Sequence, residues 1–199
     1  MVVEEVVPFF RFLNKFVELS MEEFDRYIQP YIVVRRFDAK EVVSAAGAVE
    51  DYFNYLVKGL AFTYYNKDGV DMVIQIATEG HIIHAQESFH SRRPSLFCVE
   101  TIEPSTFISI TYANLETIYA SSNKMQHLGR LVVTFTMLLK ERAQLLAATL
   151  SPRERFLQYI DKYPTVLQRV PQKYIASYLG VQPETFSRFK RLLREQKME

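Results

Sequence analysis

Three patterns of apolar and polar positions succeed one another along the chain. Phe9, Phe12, Leu13, Phe16 and Leu19 recur at spacings of three and four, which predicts helix within residues 9–29. Ser20 stands three residues before Glu23, the spacing of a reciprocal cap, so a second helical piece carrying Phe24, Tyr27 and Ile28 is expected, with Pro30 ending it. Runs rich in β-branched and aromatic residues then follow, over 31–36, 42–46, 52–57, 60–65, 70–77, 96–102 and 106–111. Asp38, Gly47, Gly59, the stretch 66–69, Gly80 and the stretch 103–105 separate them. Short strands at this spacing predict an antiparallel sandwich or jelly-roll barrel. Asn66-Lys67-Asp68-Gly69 is the clearest hairpin turn.

From about residue 123 to 150 the helical period returns without a break. Leu128, Leu131, Val132, Phe135, Leu138, Leu139, Leu145 and Leu146 cover more than one stripe. A helix of that extent spans roughly 40 Å. One apolar face suits the barrel, and a second copy of the same helix is the simplest partner for the other. Leu128, Leu131, Phe135 and Leu138 are the expected dimerisation residues, and a long helix buried within one chain is the alternative. Ser151-Pro152 ends this helix and opens a short one over 153–163, which Pro164 stops.

Composition narrows the class. The chain has 199 residues, 48% of them hydrophobic, enough for a packed core. Its single cysteine, Cys98, excludes a disulfide framework and a cysteine-rich metal centre, and points to a reducing cytoplasm. No apolar run reaches membrane-spanning length, and Glu4, Glu5 and Pro8 are the wrong chemistry for a signal peptide. The net charge of +1 hides an asymmetry. Residues 151–199 carry ten Lys and Arg against five acids, so a basic segment follows an acidic body, as in a module that faces a polyanion.

The informative stretch is 170–193, VPQKYIASYLGVQPETFSRFKRLL. Its first part predicts a helix over 172–179 with Ile175, Ala176 and Leu179 inward. Gly180 suits a sharp turn, Val181 the corner, Gln182 a cap and Pro183 the first helical position. Phe186, Phe189 and Leu193 would hold the second helix on the first, leaving a polar, basic outer face. A small residue at 176 lets two helices cross closely, as a helix-turn-helix requires; a plain corner of two helices is the competing reading.

The order of parts, a helical N-terminus, a glycine-punctuated roll, a long helix and a C-terminal helix-turn-helix, resembles the Crp/Fnr family of bacterial transcription regulators over nearly the whole chain. Gly47, Gly59, Asp68-Gly69 and Gly80 fall where that family's cyclic-nucleotide-binding-type barrel turns. The resemblance implies an α+β architecture: a β-roll effector domain over 1–122, a dimerisation helix over 123–150 and a DNA-binding domain over 151–199. It implies a homodimer that binds a near-palindromic site in double-stranded DNA, works with RNA polymerase, needs no membrane and resides in the cytoplasm. Carried over, Glu184 would accept from a cytosine amino group and Arg188 would address a guanine or a phosphate. Thr185 and Ser187 would touch phosphate, Lys173, Lys190, Arg191 and Arg194 would supply backbone contacts, and Gln182 would assist base reading where Pro183 replaces the family's frequent arginine. Family members continue into a β-wing, whereas this sequence ends at Glu199, six residues past Leu193, so a short or missing wing and a weaker grip are expected.

The family's cyclic AMP cassette, a Gly-Glu pair followed by an arginine, aligns with His84, Ala85 and Ser95, with Arg92 and Arg93 lying early. These five mark the expected effector pocket, altered enough that cyclic AMP should not bind in the usual way; no cofactor is expected beyond an unidentified small-molecule effector. His81, His84 and His90 lie within ten residues, but their spacing reads as packing or loop histidines rather than a metal or haem site, and Cys98 reads as a buried inert thiol. No metal site is expected. No catalytic fingerprint is present, so no enzyme is expected. A ligand-sensing or protein-interaction module with weak or lost DNA binding remains the alternative function.

Overall fold

The computed structural model describes residues 4–196, with side chains to 192. A 3-10 turn (Glu4–Val6) leads into helix α1 (Val7–Leu13), followed by α2 (Met21–Tyr27) and a second 3-10 turn (Gln29–Tyr31). The strands are β1 (Val33–Phe37), β2 (Val42–Ser44), β3 (Tyr52–Lys58), β4 (Ala61–Lys67), β5 (Val70–Ala77), β6 (Cys98–Thr101) and β7 (Ser105–Thr111), with α3 (Gln86–Ser91) between β5 and β6. Then come α4 (Tyr112–Ser121), α5 (Asn123–Thr149), α6 (Pro152–Lys162), α7 (Val166–Arg169), α8 (Gln172–Leu179) and α9 (Pro183–Gln196).

The N-terminal helix expected through Leu19 stops early. The Asn14 side chain accepts the Leu19 N–H at 2.9 Å and so draws the chain out of the helical path after α1. Ser20 and Glu23 form the reciprocal cap of α2. Pro30 lies in the following 3-10 turn rather than at the helix end. The strand pattern is met segment by segment. By contrast α4 had no counterpart in the sequence reading. Its buried residues, Leu115 and Ile118, are too few to stand out against the strand that precedes them. Thr111 starts it by accepting the Asn114 N–H.

The strands form two antiparallel sheets, β1-β7-β3 and β2-β6-β4-β5. Their facing sides are filled by Val43, Leu56, Ala61, Ala77, Ile83, Val99 and Phe107. The outer side of the three-stranded sheet, with Phe53 and Ile110, packs on α1, α2, α4 and the start of α5, so the aromatic residues of the N-terminus make a second core. Gly129 sets how closely α5 crosses α4: a Cβ there would lie 2.1 Å from the Tyr119 ring.

A third core joins the roll to the C-terminal helices. Leu60, Phe62, Val73 and Ile76 from β4 and β5 share it with Phe156, Val166, Ile175, Leu179 and Phe186. Burial of a side chain such as Phe186 is worth about 1.5–3 kcal/mol, so this contact fixes the C-terminal helices on the sheet. The contact is sealed by polar bonds. The Ser177 hydroxyl donates to the Asp71 carbonyl and accepts the Val73 N–H, both at 2.9 Å, on the outer rim of β5. The Arg169 guanidinium spans Glu79 at 2.6 Å and Glu103 at 2.5 Å. Burial alone would raise the Glu79 carboxyl, but the Arg169 hydrogen bonds outweigh it and hold its pKa below the usual value.

Candidate nucleic-acid interface

The unit that faces outward is built by α6, α8 and α9. Ser151 and Glu154 cap α6 reciprocally, and Pro152 occupies its first turn. Phe156 of α6 meets Phe186 edge-on at 5.4 Å and Phe189 at 5.8 Å, which holds α9. Ala176 is buried where α8 approaches, and Gly180 takes the left-handed conformation (φ 67°) that ends α8. The Val181 N–H returns to the Ala176 carbonyl at 3.0 Å, and Gln182 offers its carbonyl to the Phe186 N–H at 3.1 Å, starting α9 with Pro183 inside. Residues 193–196 continue α9; the side chains of Leu193 and Arg194, expected to pack and to touch phosphate, lie outside the described set.

On the outer face, Gln182, Glu184, Ser187, Arg188 and Arg191 are exposed, and Thr185 and Lys190 are half-buried. Lys173 is exposed, its ammonium 4.7 Å from the Tyr174 ring. Ser187, Lys190 and Arg191 converge with Gln172 around a cleft of about 170 Å³. Gln172 was missed by the sequence reading. The available signal was its place as the first residue of α8, which Pro171 opens without a side-chain cap. The seven candidate side chains of 182–191 and Lys173 therefore stand on one unit.

The expected dimerisation residues divide. Leu128 is buried in the core of its own chain and is not available to a partner. Phe135 leans on Phe16 at 5.3 Å and Phe12 at 6.2 Å, although it keeps an exposed side. Leu131 is half-buried, and Leu138 is 53% exposed. Val133, Met137, Leu139 and Leu145 are exposed as well as Leu138, so the exposed apolar residues of α5 lie further along than expected.

The expected effector residues do not gather into one pocket. Arg92 ends α3 in the left-handed conformation, pairs with Asp51 at 2.8 Å, donates to the Glu50 carbonyl and lies over the Tyr112 ring at 4.2 Å. Arg93 is exposed, and the Ser95 hydroxyl is taken by the backbone of Phe97. Ala85 is buried and gives its N–H to Glu50. The charge and the donors of Arg92 tie α3 to the β3 entrance.

His84 is fully buried between Phe53 and Phe89, with neither ring nitrogen hydrogen-bonded. It borders a void of only about 10 Å³ beneath α4 and α5, room for about one water. Burial first, then the charges of His90 and Lys140, push its pKa down to about 3. His81 faces elsewhere. Its Nδ1 lies 3.0 Å from the Thr78 carbonyl and must carry the proton, so Nε2 accepts from the Tyr163 hydroxyl at 3.1 Å. Among the described residues, no three His, Cys, Asp or Glu side chains come together as a metal site. Cys98 is half-buried and accepts the Ala46 N–H. No described helix is long and apolar enough to cross a membrane.

No known family profile matches the chain, and no curated protein matches it in sequence. Solved structures do match in shape. FixK2 from Bradyrhizobium japonicum superposes with a TM-score of 0.69 at 16% identity, over 83% of this chain and 86% of its own. The c-di-GMP-responsive global regulator CLP of Xanthomonas campestris gives 0.64 at 15% identity, over 84% and 89%. The catabolite activator protein of Thermus thermophilus gives 0.56 at 14% identity, over 92% and 87%. These neighbours are Crp/Fnr regulators. With the roll, the long helix and the C-terminal helix-turn-helix in the same order, the chain has the Crp/Fnr fold.

Proposed function

We propose that the protein is a DNA-binding transcription regulator that works as a homodimer. The observation that carries this reading is the exposed outer face of α9, with Glu184, Ser187, Arg188 and Arg191 held outward by Phe186 and Phe189, beside the cleft at the start of α8. In such a unit the second helix enters the major groove and the first crosses the backbone. Arg188 and Glu184 have the donor and acceptor chemistry to read base edges, while Lys173 and Lys190 suit phosphates. The exposed apolar residues of α5, among them Met137, Leu138 and Leu145, support pairing with a second copy, which would set two probes about 34 Å apart on a near-palindromic site.

Fluorescence anisotropy with a site selected from a random duplex pool tests this. The expected result is competitor-resistant binding that weakens steeply with salt, by a dimer in sedimentation. Selection that enriches no sequence, or a monomer at micromolar concentration, would sink the reading. Contact with RNA polymerase follows from the regulator assignment and is tested by transcription from the selected site.

A further inference from the structure

One side-chain bond between the roll and the C-terminal helices is of a kind that a single proton can undo. His81, in the turn after β5, and Tyr163, at the end of α6, are 82 positions apart and bonded at 3.1 Å. Nδ1 of His81 is held by Thr78, with the carbonyl at 3.0 Å and the hydroxyl at 3.2 Å, so the neutral ring presents Nε2 as an acceptor to the Tyr163 hydroxyl. A second proton on the ring turns Nε2 into a donor and forbids that bond. It also places a charge on a half-buried side chain.

The surroundings do little to hold such a charge. From α6, Lys162 opposes it, with its ammonium 5.1 Å from the Tyr163 ring. From the turn, Glu79 attracts it, but both oxygens of Glu79 are spent on Arg169 of α7, at 2.6 and 3.0 Å, and one also accepts the Gly59 N–H. Arg169 in turn is shared with Glu103. Tyr159 stands 5.3 Å from Tyr163, and Tyr178 of α8 stands 5.2 Å from Tyr159; burial raises both phenols above their ordinary value, so neither supplies a negative charge. Histidine is the side chain that ordinarily changes charge between about pH 5 and 8, so the proton-sensitive member of this seam is His81.

We propose that His81 and Tyr163 form a proton-operated latch between the roll and the α6–α9 unit, closed while the imidazole is neutral and released when it takes up a second proton. Burial first, then Lys162, hold the latched imidazole below the ordinary 6.5, against the Thr78 carbonyl and Glu79, whereas a released one returns to that value. Protons therefore favour the released form: closure is complete above pH 6.5 and weakens as the pH falls below it. The shared core and the Arg169 clamp remain, so release loosens the unit on the roll rather than detaching it. On the regulator reading, which the latch itself does not need, two firmly held probes fit a fixed half-site spacing better than two loose ones, so acidity weakens operator binding.

The test is hydrogen exchange of the full chain at pH 7.5 and pH 5.5, with rates corrected for the intrinsic effect of pH on exchange. In the parent, protection of α6 and α8 should fall about tenfold more than that of β3 and β7 in the roll. His81→Gln keeps an acceptor and cannot take the proton, so this excess should vanish. Tyr163→Phe removes the hydroxyl: protection of α6 should be low already at pH 7.5 and show no excess, and this variant remains informative if His81→Gln does not fold. An equal fall across the chain in the parent, or the parent's excess persisting in either variant, would overturn the latch. Operator binding, measured at the same two pH values, should weaken more in the parent than in His81→Gln; an equal response would overturn the regulatory role of the latch. Failure to bind any selected duplex at either pH would count against the regulator reading and not against the latch.

Discussion

Arg188 and His84 show how two nitrogen-bearing side chains take opposite parts, one exposed and one buried. Arg188 is exposed on α9, where removing it disturbs no core contact. Arg188→Ala should leave thermal stability within about 0.5 kcal/mol and cost about 1–3 kcal/mol of discrimination at one base pair of each half-site. Selection with the variant measures this, and an unchanged preference would remove Arg188 from base reading. His84 is neutral because it is buried, and its pKa of about 3 lies below the ordinary 6.5 of an unfolded chain. The unfolded form therefore takes up the proton first. The stability contributed by neutral burial is full above pH 6.5 and falls below it, by about 1.4 kcal/mol per pH unit until the folded imidazole titrates. Burial lowers His81 and His90 as well, in the same direction. Urea unfolding at pH 8 and pH 5 should show a smaller loss for His84→Leu than for the parent; equal losses would contradict this account. Legibility differed too. Arg188 was readable because exposure on a short amphipathic helix follows from local spacing. His84 was placed in a binding pocket by alignment, and only the packing of Phe53 and Phe89 shows it to be filling.

At the level of elements, helices with local signals came through and the rest did not. α5, α6, α8 and α9 follow from periodicity, caps, Gly180 and Pro183, all written within one or two turns of sequence. α4 and the division of α5 between own core and open face depend on what lies across from them. Gly129 is an instance: nothing local marks it, yet the Tyr119 ring stands where its Cβ would be. Gly129→Ala gains helix propensity of about 1 kcal/mol but must force α4 and α5 apart. The net effect expected is a loss of about 1–3 kcal/mol in chemical unfolding. A variant that is more stable than the parent would show that the two helices yield without cost.

At the scale of the whole molecule the C-terminal helices are not a free appendage. Their core is shared with β4 and β5, and Arg169 ties it to Glu79 and Glu103. This union was invisible in the sequence because Arg169 reaches a carboxylate ninety positions away, and Ser177 bonds backbone groups of β5. Arg169→Ala should speed amide exchange at the contact, in α8 and β5, while the roll interior stays protected. Exchange raised uniformly across the chain would refute a local role for the clamp. The Ser177 bond has a further bearing. β5 is the last strand of its sheet, and a bare outermost strand is a template for joining another molecule edge to edge. Any rearrangement that swings the C-terminal helices away for DNA would strip that guard, so a liberated form of this protein would pay in self-association and fibre-like clumping for its reach.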